Sequence, residues 1–302
     1  MEKTHMKLTK TVLAVAITSV FATAPMIASA DTTLSGLVEI RLSGTDADDN
    51  PATTDTDESA ARVGTGDVLF GITSSHELNS GLTGYSSIRL DLNNLSNEGA
   101  AQADSIYAGV KGGFGDIRVG EVPNAVEYGQ KSTDIFDVAG EVNGGISYSG
   151  SFGPAGIVVQ FSPEENSDLV GVGGQFSVGG FNIGLGTETR ADLSSSAIGV
   201  GFAAAGASIA AHFWTKEEAT AAAGDRTSFA ISAGYGAGDV SGKLTYSAME
   251  NDTVMDQSAV RLDLKYDLGG STTINSRITA VTDNNDSAGD NTGWRIQLSK
   301  AF

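Results

Sequence analysis

The carboxylates of residues 121–142 are the side chains of this sequence best placed to act together on a solute. The segment reads EVPNAVEYGQKSTDIFDVAGEV and contains one basic residue, Lys131. Its acidic residues are Glu121, Glu127, Asp134, Asp137 and Glu141. No nucleophile–base constellation stands out beside them, although spacing along the chain does not exclude one that forms in space. The chemistry that these residues support most directly is electrostatic, a negative surface facing passing charges.

Nine basic residues are the counterpart of these acids. Each lies in a segment where apolar and polar residues alternate, and each occupies a polar position: Arg41, Arg89, Lys111, Arg118, Lys243, Arg261, Lys265, Arg277 and Arg295. Strict period-two alternation predicts β-strands with two different faces. If the apolar face contacts lipid, a basic side chain on that face would cost about 2–4 kcal/mol at the bilayer midplane. Nine such costs would exceed the stability of most folds, so we expect all nine on the opposite face.

A regular rhythm of strands and connections must position these charges, beginning with the alternating stretch TLSGLVEIRLS. Short glycine-rich turns are predicted at 78–81, 112–115, 150–154, 178–180, 204–206, 236–238 and 267–270. Longer polar connections are predicted at 44–66, 93–103, 121–142, 163–167, 190–195, 216–226, 250–257 and 283–291. About sixteen strands lie between them, each near the ~9–11 residues that cross a bilayer at a tilt.

This pattern predicts an all-β protein, a transmembrane antiparallel β-barrel of about sixteen strands. Such a barrel is wide enough for an aqueous channel, so we expect the segment 121–142 to fold into the lumen and narrow it. The alternative is a soluble, secreted all-β protein. Two features weigh against that alternative: the apolar face continues through nearly every strand, and aromatic residues gather beside the short turns as in an interfacial girdle.

Residues 1–30 have the composition of a secretory signal peptide. Three lysines precede an apolar run at 11–24, and an A-x-A sequence at 28–30 predicts cleavage before Asp31. The expected mature domain is therefore the barrel at 31–302, exported from the cytoplasm.

Composition excludes several classes of function. The formal net charge is −19, which argues against binding to nucleic acid because phosphates would be repelled. The chain has no cysteine, so neither a disulfide nor a thiolate metal site can form. The acidic connection at 44–66 lacks the twelve-residue spacing of an EF-hand, and His76 and His212 are isolated in the sequence. No metal site and no cofactor are predicted.

Several stretches carry a resemblance to a known family: ASA-DTTLSGLVEIRL, SSHELNSGLTGYSSIRLDL, SIYAGVKGGFGDIRVG, ISYSGSFGPAGIVVQF and the terminal Phe302. In these the sequence resembles the general diffusion porins of Gram-negative bacteria, closest to the proteobacterial porins related to the neisserial type. The resemblance implies a homotrimer of sixteen-stranded barrels in the bacterial outer membrane, in contact with lipid and lipopolysaccharide. It also implies that the third extracellular loop folds inward, and that Phe302 belongs to the membrane-insertion signature at the C-terminus.

Carried over by position, the resemblance implies a pore constriction with two charged sides. The loop is 121–142, and its acidic side would be Asp134, Asp137 and Glu141, joined by Glu127 and Glu121. The basic side would be Arg41, Arg89, Arg118 and Lys111. One departure concerns Glu121, because the family pattern usually has a basic residue at that position.

The remaining basic residues are expected to line the lumen beside this constriction. They are Lys243, Arg261, Lys265, Arg277 and Arg295. Because the first and last strands of a closed barrel are neighbours, we expect these residues and those of the first strands to form one contiguous basic wall.

The function expected from this arrangement is passive diffusion of ions and small hydrophilic solutes, without enzymatic activity. Modest cation selectivity is expected because the longer connections carry most of the acids. The first alternative is a substrate-specific channel, for a sugar or another small nutrient, which would favour a ladder of aromatic side chains. Only Tyr85, Tyr107, Tyr128 and Phe136 could contribute to such a ladder. An outer-membrane enzyme would lack a site, and an adhesin would usually display longer surface loops.

Overall fold

The computed structural model of the protein is a closed antiparallel β-barrel, which confirms the fold expected from the alternation. It describes residues 31–47, 61–78, 81–93, 100–133, 135–136, 142–163, 168–190, 193–217, 224–251, 256–283 and 291–302. The strands are β1 Asp31–Ala47, β2 Arg62–Glu77, β3 Thr83–Asp91, β4 Gln102–Gly112, β5 Gly115–Val122, β6 Val142–Phe152, β7 Ala155–Ser162, β8 Leu169–Val178, β9 Phe181–Arg190, β10 Leu193–Ala204, β11 Ala207–Glu217, β12 Arg226–Ala237, β13 Val240–Asn251, β14 Gln257–Gly269, β15 Thr272–Asp283 and β16 Asn291–Ala301. A 3₁₀ helix, Ala125–Tyr128, follows β5.

Each strand pairs with its neighbours along the chain, and β1 pairs with β16 to close the sheet. One face of the strands carries large apolar side chains that are exposed, for example Leu34 at 59%, Ile198 at 57% and Ile278 at 54%. A monomeric soluble protein rarely exposes a continuous apolar surface of this extent, so this face is the outer, lipid-facing side. None of the helices in the described part of the chain is long and apolar enough to cross a membrane.

The strands are longer at the ends than the apolar pattern predicts. The connection expected at 44–66 is shorter, because β1 continues to Ala47 and β2 begins at Arg62. The connection expected at 190–195 is also too long, since β9 ends at Arg190 and β10 begins at Leu193. The physical reason is that main-chain pairing needs no apolar side chain. The sheet therefore extends beyond the bilayer, where alternation of apolar residues has already ended.

Two glycines of β1 lie beneath aromatic rings at the seam that closes the barrel. The N–H of Gly36 donates to the carbonyl oxygen of Phe302 at 3.0 Å, and the N–H of Phe302 donates to the carbonyl oxygen of Gly36 at 3.1 Å. The ring of Phe302 covers the position where a Gly36 side chain would begin. Farther along, Gly44 pairs with Trp294, whose indole ring covers it in the same way. Aromatic rings over glycines hold the two ends of the chain together.

We expect Gly44→Ala to weaken this seam, because the new Cβ would lie 2.8 Å from the indole Nε1 of Trp294. Displacing a packed indole should cost about 1–3 kcal/mol of unfolding free energy. The measurement is the urea midpoint of the barrel in detergent or lipid vesicles. Gly64→Ala is the matched control, since nothing lies within 4 Å of its Cβ position, and its midpoint should change little. Equal midpoints for the two variants would contradict this account of the seam.

Candidate functional site in the barrel lumen

The chain that follows β5 turns back onto the barrel instead of leaving it. Asn124 caps the 3₁₀ helix, and its side-chain oxygen accepts a hydrogen bond from the N–H of Val126 at 2.8 Å. Such a cap satisfies a backbone donor that the helix cannot bond itself. Ala125 and Val126 are completely buried. Val126 packs with Ala197 of β10 and Trp214 of β11 in one apolar cluster.

Glycines of β8, β9 and β10 form the groove that receives this helix. On β9 the exposed outer residues are Ile183 and Leu185, so Gly184 and Gly186 face the other side. A Cβ on Gly184 would lie 1.8 Å from the carbonyl oxygen of Tyr128, and a Cβ on Gly186 would lie 2.0 Å from that of Ala125. Only glycine allows the helix backbone to approach so closely. Because the contacts are on the face opposite the exposed apolar residues, the helix lies on the lumen side of the wall.

From the helix, the segment continues along the lumen toward the later strands. The N–H of Ser132 donates to Nδ1 of His212 on β11 at 3.3 Å. The N–H of Ile135 donates to Oγ of Ser247 on β13 at 3.2 Å, and the ammonium of Lys243 donates to the hydroxyl of Thr133. We call residues 123–136 the inward segment. Its described part follows the lumen wall from β5 to β13.

The one basic residue of the inward segment is held between it and the wall. The ammonium of Lys131 donates to Oε1 of Gln175 on β8 at 3.2 Å. Burial lowers the pKa of Lys131, because a charged ammonium loses hydration there. Burial also raises the pKa of Tyr128, with the nearby Arg118 acting in the opposite direction. The segment is therefore seated by polar contacts as well as by the apolar cluster.

A cavity of about 420 Å³, at the place where β5 ends and the inward segment begins, is lined by both acidic and basic side chains. Its lining includes two acids, Glu121 and Glu127, and two arginines, Arg89 and Arg118. We call this cavity the mixed-charge cavity. Three other residues proposed for the acidic side, Asp134, Asp137 and Glu141, lie outside the described residues.

A β-bulge brings Glu121 into the lumen. Val119 is exposed on the outer face, so regular alternation would place Glu121 on that face as well. The pairing of β5 with β6 shifts between Gly120 and Val122, and Gly120 has a φ of 111°. Bulges re-aim side chains in this way. Glu121 consequently lines the same cavity as Arg118.

In and beside this cavity, the wall formed by β3, β4 and β5 brings aromatic and charged side chains together. The guanidinium of Arg118 lies 4.3 Å from the ring centroid of Tyr107, and the ammonium of Lys111 lies 5.7 Å from that of Tyr85. The hydroxyl of Tyr85 donates to Asp116. These cation–π and hydrogen-bonding contacts fix the direction of the basic side chains. Arg89, the next basic residue of this wall, pairs with Asp104 of β4.

Five of the remaining basic residues line a second cavity, of about 530 Å³, on β13 to β16. They are Lys243, Arg261, Lys265, Arg277 and Arg295. We call it the basic cavity. Asp263 is the one carboxylate among the residues that line it. Arg41 of β1 lies to the side, where its Nε donates to Oε1 of Gln297 at 3.3 Å and its guanidinium is 3.9 Å from Glu39.

In the structure the predicted basic residues line two cavities, one on β3–β5 and one on β13–β16, or lie beside them. All nine lie opposite the exposed apolar residues of their strands. Arg89, Arg118 and the nearby Lys111 belong to β3–β5, whereas the group on β13–β16 lies on the other side of β1 and β2. Arg41 contacts the second group through Gln297.

Several lumen carboxylates were missed by the sequence reasoning, among them Glu39, Asp104, Asp116, Glu188 and Asp263. For two of these carboxylates, alternation in the sequence already indicated a position on the lumen face. Asp263 stands between Arg261 and Lys265 at the same parity, and Glu39 shares the parity of Arg41. The pairing of β3 with β4 shifts between Arg89 and Leu90, so simple alternation gives no reliable position for Asp104.

A polar lumen with a segment of chain docked on its wall, inside a closed barrel with an apolar outer face, is typical of an outer-membrane channel of the porin type. The family described as Gram-negative porin matches residues 12–288, and the chain belongs to this family. The family resemblance and the outer-membrane location expected from the sequence are thereby confirmed. No curated protein sequence matches the chain.

Solved structures share the fold at low sequence identity. An anion-selective porin from Comamonas acidovorans is 14% identical, with a TM-score of 0.74, and the match covers 91% of this chain and 100% of that one. The trimer form of OmpT from Vibrio cholerae is 14% identical, with a TM-score of 0.70 and the same coverage. A mutant of the Rh. blastica porin is 11% identical, with a TM-score of 0.68 and coverage of 90% and 100%.

We expect Gly186→Ala to push the 3₁₀ helix off the wall toward the lumen axis. All three of the closest atoms to the new Cβ belong to Ala125 and Val126 of the helix, the nearest at 2.0 Å. The single-channel conductance in planar bilayers should fall, and docking of the segment should weaken by about 1–3 kcal/mol.

The matched control is Gly201→Ala on the adjacent strand β10. Gly201 also faces the lumen, but the nearest atom to its Cβ position is 3.7 Å away, so conductance should be preserved. If both variants conduct like the wild type, the helix does not determine the free cross-section.

Proposed function

We propose that this porin is a general diffusion channel for ions and small hydrophilic solutes. The observation that supports the proposal best is the mixed-charge cavity, whose lining combines Glu121 and Glu127 with Arg89 and Arg118. Diffusion through a wet pore needs no catalytic group, and we propose no enzymatic activity. It needs a polar lining and a bore that is limited at one level.

Opposed charges filter solutes without holding any of them tightly. A carboxylate and a guanidinium about 8 Å apart interact by about 2 kcal/mol at an effective dielectric of 20. Several such pairs order the water between them, and an apolar solute that displaces this water loses that energy. A hydrated ion or a polar solute replaces the interactions as it passes. We therefore propose that polarity and size, rather than identity, decide which solutes pass.

The proposed constriction extends beyond the residues of the mixed-charge cavity. It includes the acids Asp134, Asp137 and Glu141 of the segment 121–142, which we place on the acidic side by their position in the sequence. Arg41 and Lys111 would complete the basic side. The contacts of the inward segment with β8–β10 and with β13 support a loop that narrows the bore.

Assembly and export complete the proposal. We propose cleavage of residues 1–30, and the support is the A-x-A sequence at 28–30. We also propose a homotrimer within the outer-membrane lipid and lipopolysaccharide. A trimer form is known for OmpT from Vibrio cholerae, whose fold this chain shares.

Modest cation selectivity is the proposed ion preference. The support lies in the eight longer connections between strands, which carry twenty acidic residues and one basic residue, Lys131. All of these connections are at the same end of the barrel, opposite the short turns. The electric field of these acidic residues attracts cations to this mouth at low salt. The basic residues of the lumen limit the preference for cations.

A substrate-specific channel is the second candidate, and the pair Tyr85 and Tyr107 favours it. Their ring centroids are 6.2 Å apart in the lumen wall, and a sugar ring stacks well on aromatic faces. Two rings form a short platform rather than a ladder. Both are also already engaged by Lys111 and Arg118, so general diffusion is the stronger candidate.

Liposome swelling distinguishes these two candidates. We expect the entry rates of neutral sugars to fall smoothly with size, without saturation, because no solute is bound tightly. Tyr85→Ala combined with Tyr107→Ala should not lower the rate of any one sugar selectively. Saturable uptake of one sugar, lost in that double variant, would favour the specific channel.

Ion selectivity should depend on the acids of the mixed-charge cavity. We expect Glu121→Gln combined with Glu127→Gln to shift the reversal potential in a KCl gradient toward that of chloride. The shift should be largest at low salt, since the Debye length is ~10 Å at 0.1 M and ~3 Å at 1 M. Asp239→Asn combined with Asp267→Asn removes two charges at the short turns and should shift the potential less. A wild-type channel that prefers chloride at low salt would refute cation selectivity.

A further inference from the structure

We propose that the basic cavity is a binding site for small oxyanions, solutes that carry phosphate or carboxylate groups. The proposal rests on the proposed function, since it names a class of solute that the channel would retain on its way. Among the residues that the structure describes, the cavity is lined by five cationic side chains and by one carboxylate, Asp263, an excess of four positive charges.

The strand register places these charges in one row across the lumen wall. Lys243 of β13 pairs with Asp263 of β14, Asp263 pairs with Arg277 of β15, and Arg277 pairs with Arg295 of β16. Residues that are directly opposite on neighbouring strands have Cβ atoms about 4.5–5.5 Å apart. Like charges in such pairs repel, so a negative charge beside Arg277 and Arg295 would relieve their repulsion.

Asp263 cannot supply that charge to the whole row. Its Oδ2 accepts from Nε of Arg261 at 3.1 Å, and its Oδ1 accepts from Nε of Arg277. Both carboxylate oxygens are therefore occupied by arginines. The Nε of Arg295 is buried and has no hydrogen-bond partner in the part of the chain that the structure describes. A bound anion would satisfy this donor and neutralise the neighbouring guanidinium groups.

The donor set selects an oxyanion rather than a simple halide. Guanidinium groups present planar pairs of N–H donors that match carboxylate and phosphate oxygens. Arg277 and Arg295 offer two such groups side by side, and Lys243 adds an ammonium. The cavity also contains the amide of Gln297, which uses one N–H on Ser299 and has a second N–H for a further oxygen. Its volume of about 530 Å³ leaves room for a small organic group attached to the anion.

The inward segment closes one side of this site. Thr133 lines the cavity, and its hydroxyl accepts a hydrogen bond from the ammonium of Lys243. Lys243 is four residues into β13 from the short turn, so the cavity lies toward the short-turn end of the barrel. An oxyanion that has passed the mixed-charge cavity would be held there before it leaves.

Inorganic phosphate is the probe for this site. Single-channel currents are recorded in planar bilayers in KCl, and phosphate replaces chloride at constant ionic strength so that screening does not change. We expect the current of the wild type to fall with phosphate and to saturate. Arg295→Gln should raise the half-saturating phosphate concentration about tenfold, because one charge-assisted hydrogen bond is lost. This substitution leaves both partners of Asp263 in place.

Lys216→Gln is the matched control, since it removes one positive charge from β11, away from the basic cavity. It should leave the half-saturating phosphate concentration unchanged. An equal shift in both variants would show a general effect of lumen charge and overturn the site. A steady KCl current that phosphate does not reduce would also overturn it, while leaving the channel function intact.

Calorimetric titration of the detergent-solubilised barrel with phosphate keeps the proposal testable without conduction. We expect saturable heat for the wild type and weaker binding for Arg295→Gln. Saturable heat from a barrel that carries no current would retain the site and reject the channel function. Absence of saturable heat in the wild type would reject the site.

Discussion

Closure of the sheet is the constraint on which the rest of this molecule depends. Within a bilayer every backbone N–H and C=O needs a partner, and the pairing of β1 with β16 provides one along the last free edges. Closure also fixes which side of every strand faces lipid. The polar positions of all sixteen strands then have to share one enclosed space, which is why charges far apart in the sequence meet. Arg295 and Glu39 belong to opposite ends of the chain, yet they are on adjacent strands.

The enclosed wall is divided into regions with different physical roles. On β8–β10 its inward residues include pairs of glycines that the backbone of the inward segment approaches closely, such as Gly184 and Gly186. On β3–β5 and β13–β16 the inward residues are long and charged. The inward segment docks on the first region and reaches toward the second, where Thr133 meets Lys243. The side-chain volume that the glycines lack is thus occupied by a segment of backbone, and the open space remains beside the charged strands.

The sequence alone was sufficient to predict the barrel and the two faces of its strands. The reason is that every second residue of a strand contacts lipid and is therefore apolar. The sequence was not sufficient for features that interrupt alternation. The bulge at Gly120 turns Glu121 inward against the parity of Val119, and only the pairing with β6 reveals it. Asp263 could have been found from its place between Arg261 and Lys265. The docking groove left a weaker trace, glycines two residues apart at 184 and 186, whose meaning depends on which other segment lies against them.

A cation preference of the whole channel is compatible with an oxyanion site within it, because the two properties arise at different places. Selectivity reflects the ions that gather at the mouth and cross the narrowest level, and the acidic connections dominate that mouth. Binding reflects local donors, and those of Arg277 and Arg295 lie deeper, toward the short turns. Asp263 and Glu39 reduce the basic field without cancelling it, since among the described residues they are two carboxylates beside six cationic side chains. The order of charges that we propose along the path is therefore acidic, mixed and then basic, because the acid-rich connections of the sequence and the basic cavity belong to opposite ends of the strands.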